Sequence, residues 1–424
     1  MELNHSKAKV DRAGKYLSGK NDITEEYIES DFIVDVYRAS HLEPLSETTL
    51  ELQRWLQGSG KRYYAAQRLK RKPQIIRKLR RLSVRLTQLQ DIGGCRIVVD
   101  TNRDVSDLVE YIQNEICKQS SFKIAKKTDY RDRGRDDTGY RAIHLIIDRN
   151  KIALELQIRS RIQHYWAESI ERTSIIYGHY LKEKEGDPII INYFKRLSDI
   201  LFEIECGRDP TSNAKIDLDK LRVQSENVII RSDKKRILNS YVNEDIVKTL
   251  TSKENKSELL NNWIIVFDWN TGSFVAWDVV GRNSSDAARE YARYEAQFPA
   301  EDNYEVVMIG SSDVASVRQT HSHYFGIEKY ENILESLSQT IVGLSTRMDI
   351  DVEARQILAV LFRKKYFGRK TISVETLRNH YLKESMTFDS SLRTLVERGL
   401  VNMEDAQSPV SLNRKRKSDI ESYL

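Results

Sequence analysis

The stretch that most constrains the fold is IALELQIRSRIQHYWAE, residues 152–168, whose first half alternates between apolar and polar side chains. A β-strand points successive side chains to opposite faces, so this segment predicts a sheet with one aliphatic and one polar face. The aliphatic face carries Leu154, Leu156 and Ile158, and the polar face carries Glu155, Gln157 and Arg159. A solvated surface and the floor of an active site both have this pattern, and the alternation alone does not separate them.

Length and charge limit the classes of protein that fit. The chain has 424 residues, so two or three domains are expected. Its net charge is only +5, and any anion-binding site must therefore arise from a local cluster. Cys95, Cys117 and Cys206 are odd in number and far apart, which favours a reducing compartment over a disulfide framework. No apolar run has the ~18 residues of a membrane span, so a cytoplasmic protein without a membrane partner is expected.

Hydrophobic periodicity predicts the order of domains. Mixed strands with covering helices favour an α/β or α+β fold over residues 1–210, with helices that open at Ser46 and Ser106. Residues 211–255 have the pattern of a helical connector. Residues 256–345 predict a small α+β domain that begins with a hairpin and ends in a helix. Residues 346–424 have the helix and strand order of a winged helix-turn-helix.

Four short motifs follow one another in the first of these regions. They are RLKRKPQIIRK (68–78), DIGGCR (91–96), GYRAIH (139–144) and ELQIR (155–159). Each has a purely structural interpretation: a solvated basic face, a turn before a strand, a core histidine, and a Glu155–Arg159 ion pair. The basic motif lies in a block, residues 52–90, with twelve Lys and Arg and no acidic residue, which predicts a local positive field.

Taken together, the four motifs favour chemistry on a polyphosphate. Asp91 and Glu155 offer carboxylates of the kind that hold Mg²⁺ when the ion also binds substrate phosphates. The neighbouring cations would neutralise those phosphates, and Tyr140, which follows a glycine, offers a surface on which a base could stack. This set suits phosphoryl or pyrophosphoryl transfer, where catalysis depends on positioning and charge stabilisation.

In this order, the motifs resemble the synthetase domain of the RelA/SpoT family of alarmone synthetases, over roughly residues 30–205. The resemblance implies a nucleotidyltransferase-like mixed sheet. It also implies transfer of the β,γ-diphosphate of ATP to a nucleotide 3′-hydroxyl, with AMP leaving. For GDP or GTP as acceptor, the product would be the alarmone (p)ppGpp. A homo-oligomer is compatible with the resemblance.

The resemblance also implies roles for individual residues. Arg68 would flank the adenine, Lys70 and Lys78 would hold the ATP phosphates, and Arg96 and Arg159 would be further nucleotide contacts. Asp91 would be the principal Mg²⁺ ligand, and Glu155 would complete the metal site or act as a base toward the acceptor hydroxyl. On the acceptor side, Tyr140 would stack on guanine, His144 would lie near the acceptor phosphates, and Gln157 would position phosphate. Asp91, Glu155 and Lys78 are the expected catalytic residues.

Some features depart from the family pattern. Gln74 stands where the family usually has Ser. Many members have Pro-Lys shortly before Gly-Tyr, but the segment RDRGRDDTGY (131–140) has no lysine, so Arg133 or Arg135 would take that role. Asp136 and Asp137 put acidic charge where an anionic acceptor would approach, which leaves the acceptor open. No histidine is followed directly by aspartate, so the hydrolase domain of the long family members is not expected.

Two alternative functions stay open at the level of the sequence. A toxin-like relative would modify the 3′-end of tRNA or an adenine nucleotide with the same chemistry. A regulator of another class would sense nucleotide through the first domain and bind tRNA, another nucleic acid or a protein partner through its C-terminal domains. The segment FDSSLRTLVERG, with only Arg393 and Arg398 as cations, is sparse for a DNA-reading helix.

Overall fold

The computed structural model describes residues 5–19, 22–58, 63–119, 121–135, 138–208, 210–232, 260–268, 273–280, 283–312, 317, 350, 352–382, 388–405, 408–421 and 423. The chain forms two compact units. The first consists of Met1–Arg135, Arg141–Ser160 and Lys235–Phe325, and the second of Asp136–Tyr140, Arg161–Lys234 and Gly326–Leu424. None of the helices described here is long and apolar enough to cross a membrane.

The first unit is built around a mixed eight-stranded sheet, as the alternating pattern predicts. Its helices are α1 Lys7–Ser18, α2 Glu25–Ala39, α3 Leu42–Gly58, α4 Lys72–Leu82, α5 Asn102–Tyr111 and α9 Ser284–Gln297. Its strands are β1 Tyr63–Leu69, β2 Gly93–Val99, β3 Lys123–Asp129, β4 Ile143–Arg149, β5 Ile152–Ser160, β6 Asn261–Asp268, β7 Ser273–Val280 and β8 Tyr304–Ser311. The strand order is β3-β4-β5-β2-β1-β8-β6-β7.

Strand β5 lies between β4 and β2 and has the two faces that its sequence predicts. It pairs antiparallel with β4 and parallel with β2. The turn from β4 to β5 is tight, with Asn150 and Lys151 both at positive φ. The aliphatic side chains of β5 belong to a core that also contains Ile97, Leu108 and Leu145. This buried face fixes the register, because a shift by one residue would move every apolar side chain out of the core.

The sheet continues beyond the region where the sequence predicts the first domain to end. Strand β8 pairs antiparallel with β1, with Ala66 opposite Ser311 and Arg68 opposite Ile309. The three strands β6, β7 and β8, which lie within the α+β domain predicted at 256–345, therefore belong to the same sheet as the N-terminal strands. The sequence pattern does show the hairpin of β6 and β7 correctly, but periodicity carries no information about which strand edge it joins. The hairpin turn and the helix expected at 324–341 fall outside the described residues.

The second unit is described from two parts of the chain. Helices α6 Arg161–Tyr177, α7 Pro188–Glu205 and α8 Ser212–Ser232 make up one part. The other contains α10 Val352–Arg363, α11 Phe388–Glu397, α12 Lys417–Glu421 and the two-stranded sheet of β9 Val401–Asn402 and β10 Ser411–Leu412. Between α10 and α11, the short helix Val374–Thr376 continues as a π-helical turn, Leu377–Tyr381. The winged-helix assignment and the domain boundaries stay predictions.

Two predicted helix starts are wrong by four residues. Helix α3 begins at Leu42, so Ser46 lies inside it. Helix α5 begins at Asn102, because the Thr101 hydroxyl accepts a hydrogen bond from the Asp104 amide and caps the helix before Ser106 is reached.

Gly310 marks the closest packing at the junction of β1 and β8. A Cβ atom there would lie 2.6 Å from both Asn262 Oδ1 and Gln67 Cγ. The Gln67 side chain is buried, and its Nε2 donates to Ser46 Oγ and Asn262 Oδ1. We expect Gly310→Ala to lower the free energy of unfolding by about 1–3 kcal/mol, as overpacking does in a filled core. Urea denaturation measures this change.

Gly58→Ala is the matched control, because an added Cβ at Gly58 meets no atom of the described residues within 4 Å. If both variants unfold at the same urea concentration, the junction is not as tightly packed as described.

Candidate active site

The ammonium groups of Lys70 and Lys78 hold the Asp91 carboxylate between them. Lys70 directly follows β1, Lys78 lies on α4, and Asp91 stands two residues before β2. Asp91 Oδ2 accepts from Lys70 Nζ at 2.9 Å and from Lys78 Nζ at 2.7 Å. The predicted basic motif and the predicted metal ligand therefore lie in direct contact, and this pair of bonds joins β1, α4 and the start of β2.

The two lysines determine the charge state of Asp91. Burial alone would raise the pKa of this carboxyl, but the positive charges of Lys70 and Lys78 outweigh burial and hold its pKa well below the usual range. Burial also lowers the pKa of Lys70, against the opposite effect of Asp91. The second carboxylate oxygen, Asp91 Oδ1, is buried and has no hydrogen-bond partner among the described residues. A buried carboxylate oxygen that makes no hydrogen bond can instead bind a metal cation, such as one that enters the site together with substrate phosphates.

Glu155 lies one strand away, at the start of a chain of hydrogen bonds on the polar face of β5. Its Oε1 lies 2.9 Å from His144 Nδ1, and its Oε2 accepts from Gln157 Nε2 at 2.6 Å. Gln157 Oε1 in turn accepts from Arg159 Nη2 at 2.6 Å. Arg159 is only 2% exposed, so the alternative of a surface ion pair between Glu155 and Arg159 is wrong. The same side chains form a buried polar chain through Gln157.

The two predicted acids affect each other electrostatically. Burial and the negative charge of Asp91 both raise the pKa of Glu155. Hydrogen bonds from His144 and Gln157, together with the charge of His144, lower this pKa by a larger amount. The net pKa of Glu155 is lowered, so this carboxyl is ionised at neutral pH. In the sheet, Glu155 lies opposite Gly94, three residues after Asp91 on the neighbouring strand. The register therefore puts Glu155 beside the strand that begins just after Asp91.

Two further predicted cations share the sheet face with Glu155 and Gln157. Arg68 on β1 lies opposite Gly94, and Arg96 on β2 lies opposite Gln157, so their side chains leave the sheet on the same side. Both are half-buried. The polar face therefore carries cations on β1, β2 and β5, with the acid of β5 among them.

Tyr140 belongs to the second unit, where Lys182 lies near its ring. It is 8% exposed, and Lys182 Nζ lies 5.8 Å from the centre of its ring. The preceding Gly139 has φ +86°, and an added Cβ there would lie 2.8 Å from the Ser198 Cβ. Gly139 O also accepts a hydrogen bond from the Ser198 hydroxyl. Glycine is thus required before Tyr140 for both conformation and space.

Tyr130 is a residue of the site that the motif analysis missed. Its ring meets the His144 ring edge to face, with centroids 5.1 Å apart, and the guanidinium of Arg135 lies 5.6 Å from the Tyr130 ring centre. The sequence contains only a weak indication of this contact. Tyr130 is two residues after Thr128, which lies opposite His144, so alternation along the strand puts Tyr130 on the same face as His144.

Arg71 was missed as well, because its partner is remote in sequence. Arg71 Nη1 lies 2.8 Å from Glu305 Oε1 on β8, a side chain that is only 9% exposed. Lys72 next to it binds both Asp31 and Asp35 on α2. Three consecutive cations after β1 thus contact acids from three different parts of the chain, which orients the segment that carries Lys70.

We expect the Asp91 contacts to stabilise the fold in a pH-dependent way. The pKa of Asp91 is lower in the folded state than in the unfolded state. The ionised carboxylate therefore contributes fully to the free energy of unfolding above its unfolded-state pKa of about 3.9, and this contribution is lost as the pH falls toward the folded-state pKa. Between about pH 6 and pH 3, the wild type should therefore lose more unfolding free energy than Asp91→Asn. Chemical denaturation at several pH values measures both, and equal losses would contradict the assignment.

Comparison with known proteins places a family match on the same residues. Residues 67–181 match the family model described as "Region found in RelA / SpoT proteins". No curated protein matches the chain. The matched region contains every candidate residue named from the four motifs.

Several solved structures align with part of the chain. The small alarmone synthetase 2 of Bacillus subtilis is 20% identical over 41% of this chain and 92% of its own, with a TM-score of 0.33. The small alarmone synthetase 1 of the same organism, bound to its product pppGpp, is 19% identical over 47% and 99%, with a TM-score of 0.33. A GTP pyrophosphokinase family protein from Streptococcus pneumoniae is 21% identical over 49% and 98%, with a TM-score of 0.31.

The family match and the order of the four motifs agree with each other. Residues 67–181 of this chain are therefore a RelA/SpoT region.

Proposed function

We propose that this chain is a pyrophosphokinase that transfers the β,γ-diphosphate of ATP to the 3′-hydroxyl of GDP or GTP and so makes (p)ppGpp. The observation that carries the proposal is Asp91, which two lysines hold at one oxygen and whose second, buried oxygen has no hydrogen-bond partner in the part of the chain that the structure describes. The RelA/SpoT region at 67–181 supports it. In the reaction, the acceptor 3′-oxygen bonds to the β-phosphorus, the bond between that phosphorus and the α–β bridging oxygen breaks, and AMP leaves.

On the donor side, the cations around Asp91 would bind the ATP phosphates. Lys70 and Lys78 are already in place, and each has more than one donor hydrogen, so both can contact phosphate oxygens and keep a bond to Asp91. Arg68 and Arg96 lie on the same side of the sheet, and a planar guanidinium can stack on a base or bind phosphate with two hydrogen bonds. Fixed cations stabilise the charge that develops on the transferring group.

The donor set around Asp91 fits Mg²⁺ with one protein carboxylate. No group of three or more His, Cys, Asp or Glu side chains suited to a metal occurs in the described parts of the chain. Asp91 Oδ1 is an anionic oxygen that no described residue hydrogen-bonds, whereas the two oxygens of Glu155 contact His144 and Gln157. We therefore assign Asp91 as the protein ligand, with Glu155 joining only if those bonds open. The ion would neutralise charge on the phosphates, which supply its other oxygen ligands.

On the acceptor side, the proposal assigns the polar face of β4 and β5. Glu155 is ionised and held by His144, so it can orient the 3′-hydroxyl and accept its proton as the new bond forms. Its lowered pKa makes it a weak base, which is compatible with a loose transition state that needs little proton removal. Tyr140 is proposed to stack on guanine, and Gln157 and Arg159 keep Glu155 oriented.

A transfer assay tests the reaction and the acceptor together. The purified protein is incubated with Mg²⁺ and ATP labelled at the γ-phosphate, with GDP, GTP, ATP or deacylated tRNA in separate reactions. We expect label on GDP or GTP and AMP as the second product. Label on tRNA alone would overturn the acceptor, and release of ADP in place of AMP would overturn the type of transfer.

The two acids are tested by Asp91→Asn and Glu155→Gln. Each should lower kcat by about 10²-fold or more, because each removes a fixed charge next to the transferring group. Asp148→Asn is the matched control, because this exposed acid lies at the far end of β4, where its carboxylate accepts a hydrogen bond from the Lys151 amide in the turn. Full activity of Glu155→Gln, with the fold intact by circular dichroism, would show that Glu155 takes no part in transfer.

A further inference from the structure

The C-terminal part of the second unit carries a cluster of exposed cations, which we call the basic surface. It consists of Lys364, Lys365, Arg369, Lys370, Arg414 and Lys415, all of them exposed. Four come from the loop that follows α10, and two come from the turn that follows β10. The two segments are separated by more than forty residues of sequence, so the cluster is a product of folding.

Backbone contacts bring the two segments together. Phe367 forms a parallel bridge with Leu412, the Gly368 amide donates to Leu412 O, and the Leu412 amide donates to Tyr366 O. Gly368 has φ +59°, and an added Cβ would lie only 3.0 Å from Arg414 Nε. The loop after α10 and the turn after β10 therefore form one continuous positive surface.

The described residues around this surface do not neutralise its charge. In the described part of the chain, no carboxylate lies within ion-pair distance of any of these six cations, whereas the adjoining Arg416 and Lys417 pair with Asp419 and Glu421. Six like charges held close together repel one another, and an anionic partner would remove that repulsion.

The side chains between the cations favour a nucleic acid as that partner. Lys370 Nζ lies 5.0 Å from the centre of the Tyr366 ring, and Lys364 Nζ lies 5.6 Å from that of Tyr381. Cations interleaved with aromatic rings are typical of surfaces that bind phosphates and stack on bases. In the described residues from 352 to 423 there is no large exposed apolar side chain of the kind that inserts into a lipid surface.

We propose that the basic surface binds the phosphate backbone of nucleic acid, with little dependence on base sequence. The contact elements are a loop and a turn, and the six exposed cations offer charge-assisted hydrogen bonds to phosphate oxygens. This inference concerns a surface outside the RelA/SpoT region, and it is independent of the transfer reaction.

Fluorescence anisotropy with a short labelled single-stranded RNA tests the proposal on the full-length protein. For the wild type, the logarithm of the association constant should fall linearly with the logarithm of salt concentration, with a slope of about −0.7 for each phosphate contact. Replacing Arg369, Lys370 and Lys415 together by Gln should reduce the slope by about 2 and weaken binding at least ~10-fold in low salt.

The control removes the same charge elsewhere. Lys7, Lys123 and Lys127 are exposed lysines of the first unit, and their joint replacement by Gln should leave the slope unchanged. Equal effects of the two triple variants would overturn the proposal, because binding would then depend only on net charge. So would the absence of RNA binding in low salt, or binding to phosphatidylserine vesicles without binding to RNA. Thermal melting confirms that both variants fold.

Discussion

The contact on which the candidate site depends is the bond of one carboxylate to two lysines. Asp91 holds Lys70 and Lys78 against their mutual repulsion, in a position where burial alone would disfavour the charge on Lys70. Without Asp91, two ammonium groups would share a half-buried position with no compensating anion. The geometry of the proposed phosphate site is therefore present before any ligand binds, which lowers the cost of ordering on binding.

The charged groups on the polar face of the sheet are likewise each bound to a polar or charged neighbour. Glu155, Gln157 and Arg159 are linked in one chain, and His144 closes it from the neighbouring strand. A chain of this kind orients each member through the next, so a change at Arg159 would reach Glu155 through Gln157. The opposite face of β5 is aliphatic, and its side chains are buried in the core. This burial sets the strand register, and the register in turn brings the polar side chains together.

Contacts from outside the matched region support this arrangement. Glu305 on β8 binds Arg71, and Asp31 and Asp35 on α2 bind Lys72, so the segment after β1 is held from two sides. Strand β8 reaches this place because it pairs with β1, the edge that the five N-terminal strands leave open. An open edge of this kind would be a site for unwanted pairing, and its coverage by β8 removes that hazard.

The sequence by itself determined what depends on local order. The alternation in residues 152–158 predicted the two faces of β5, because side-chain direction along a strand is set by the backbone alone. The order of the four motifs predicted the RelA/SpoT region, because each motif is a local stretch of sequence.

Only the tertiary structure decided which distant groups meet. Three contacts join segments whose local sequences do not show which segment they will contact. They are the ion pairs of Asp91 with Lys70 and Lys78, the pairing of β8 with β1, and the bridge between Phe367 and Leu412. Periodicity records whether a residue faces a core. Which neighbour it meets there depends on the packing and register of the whole chain.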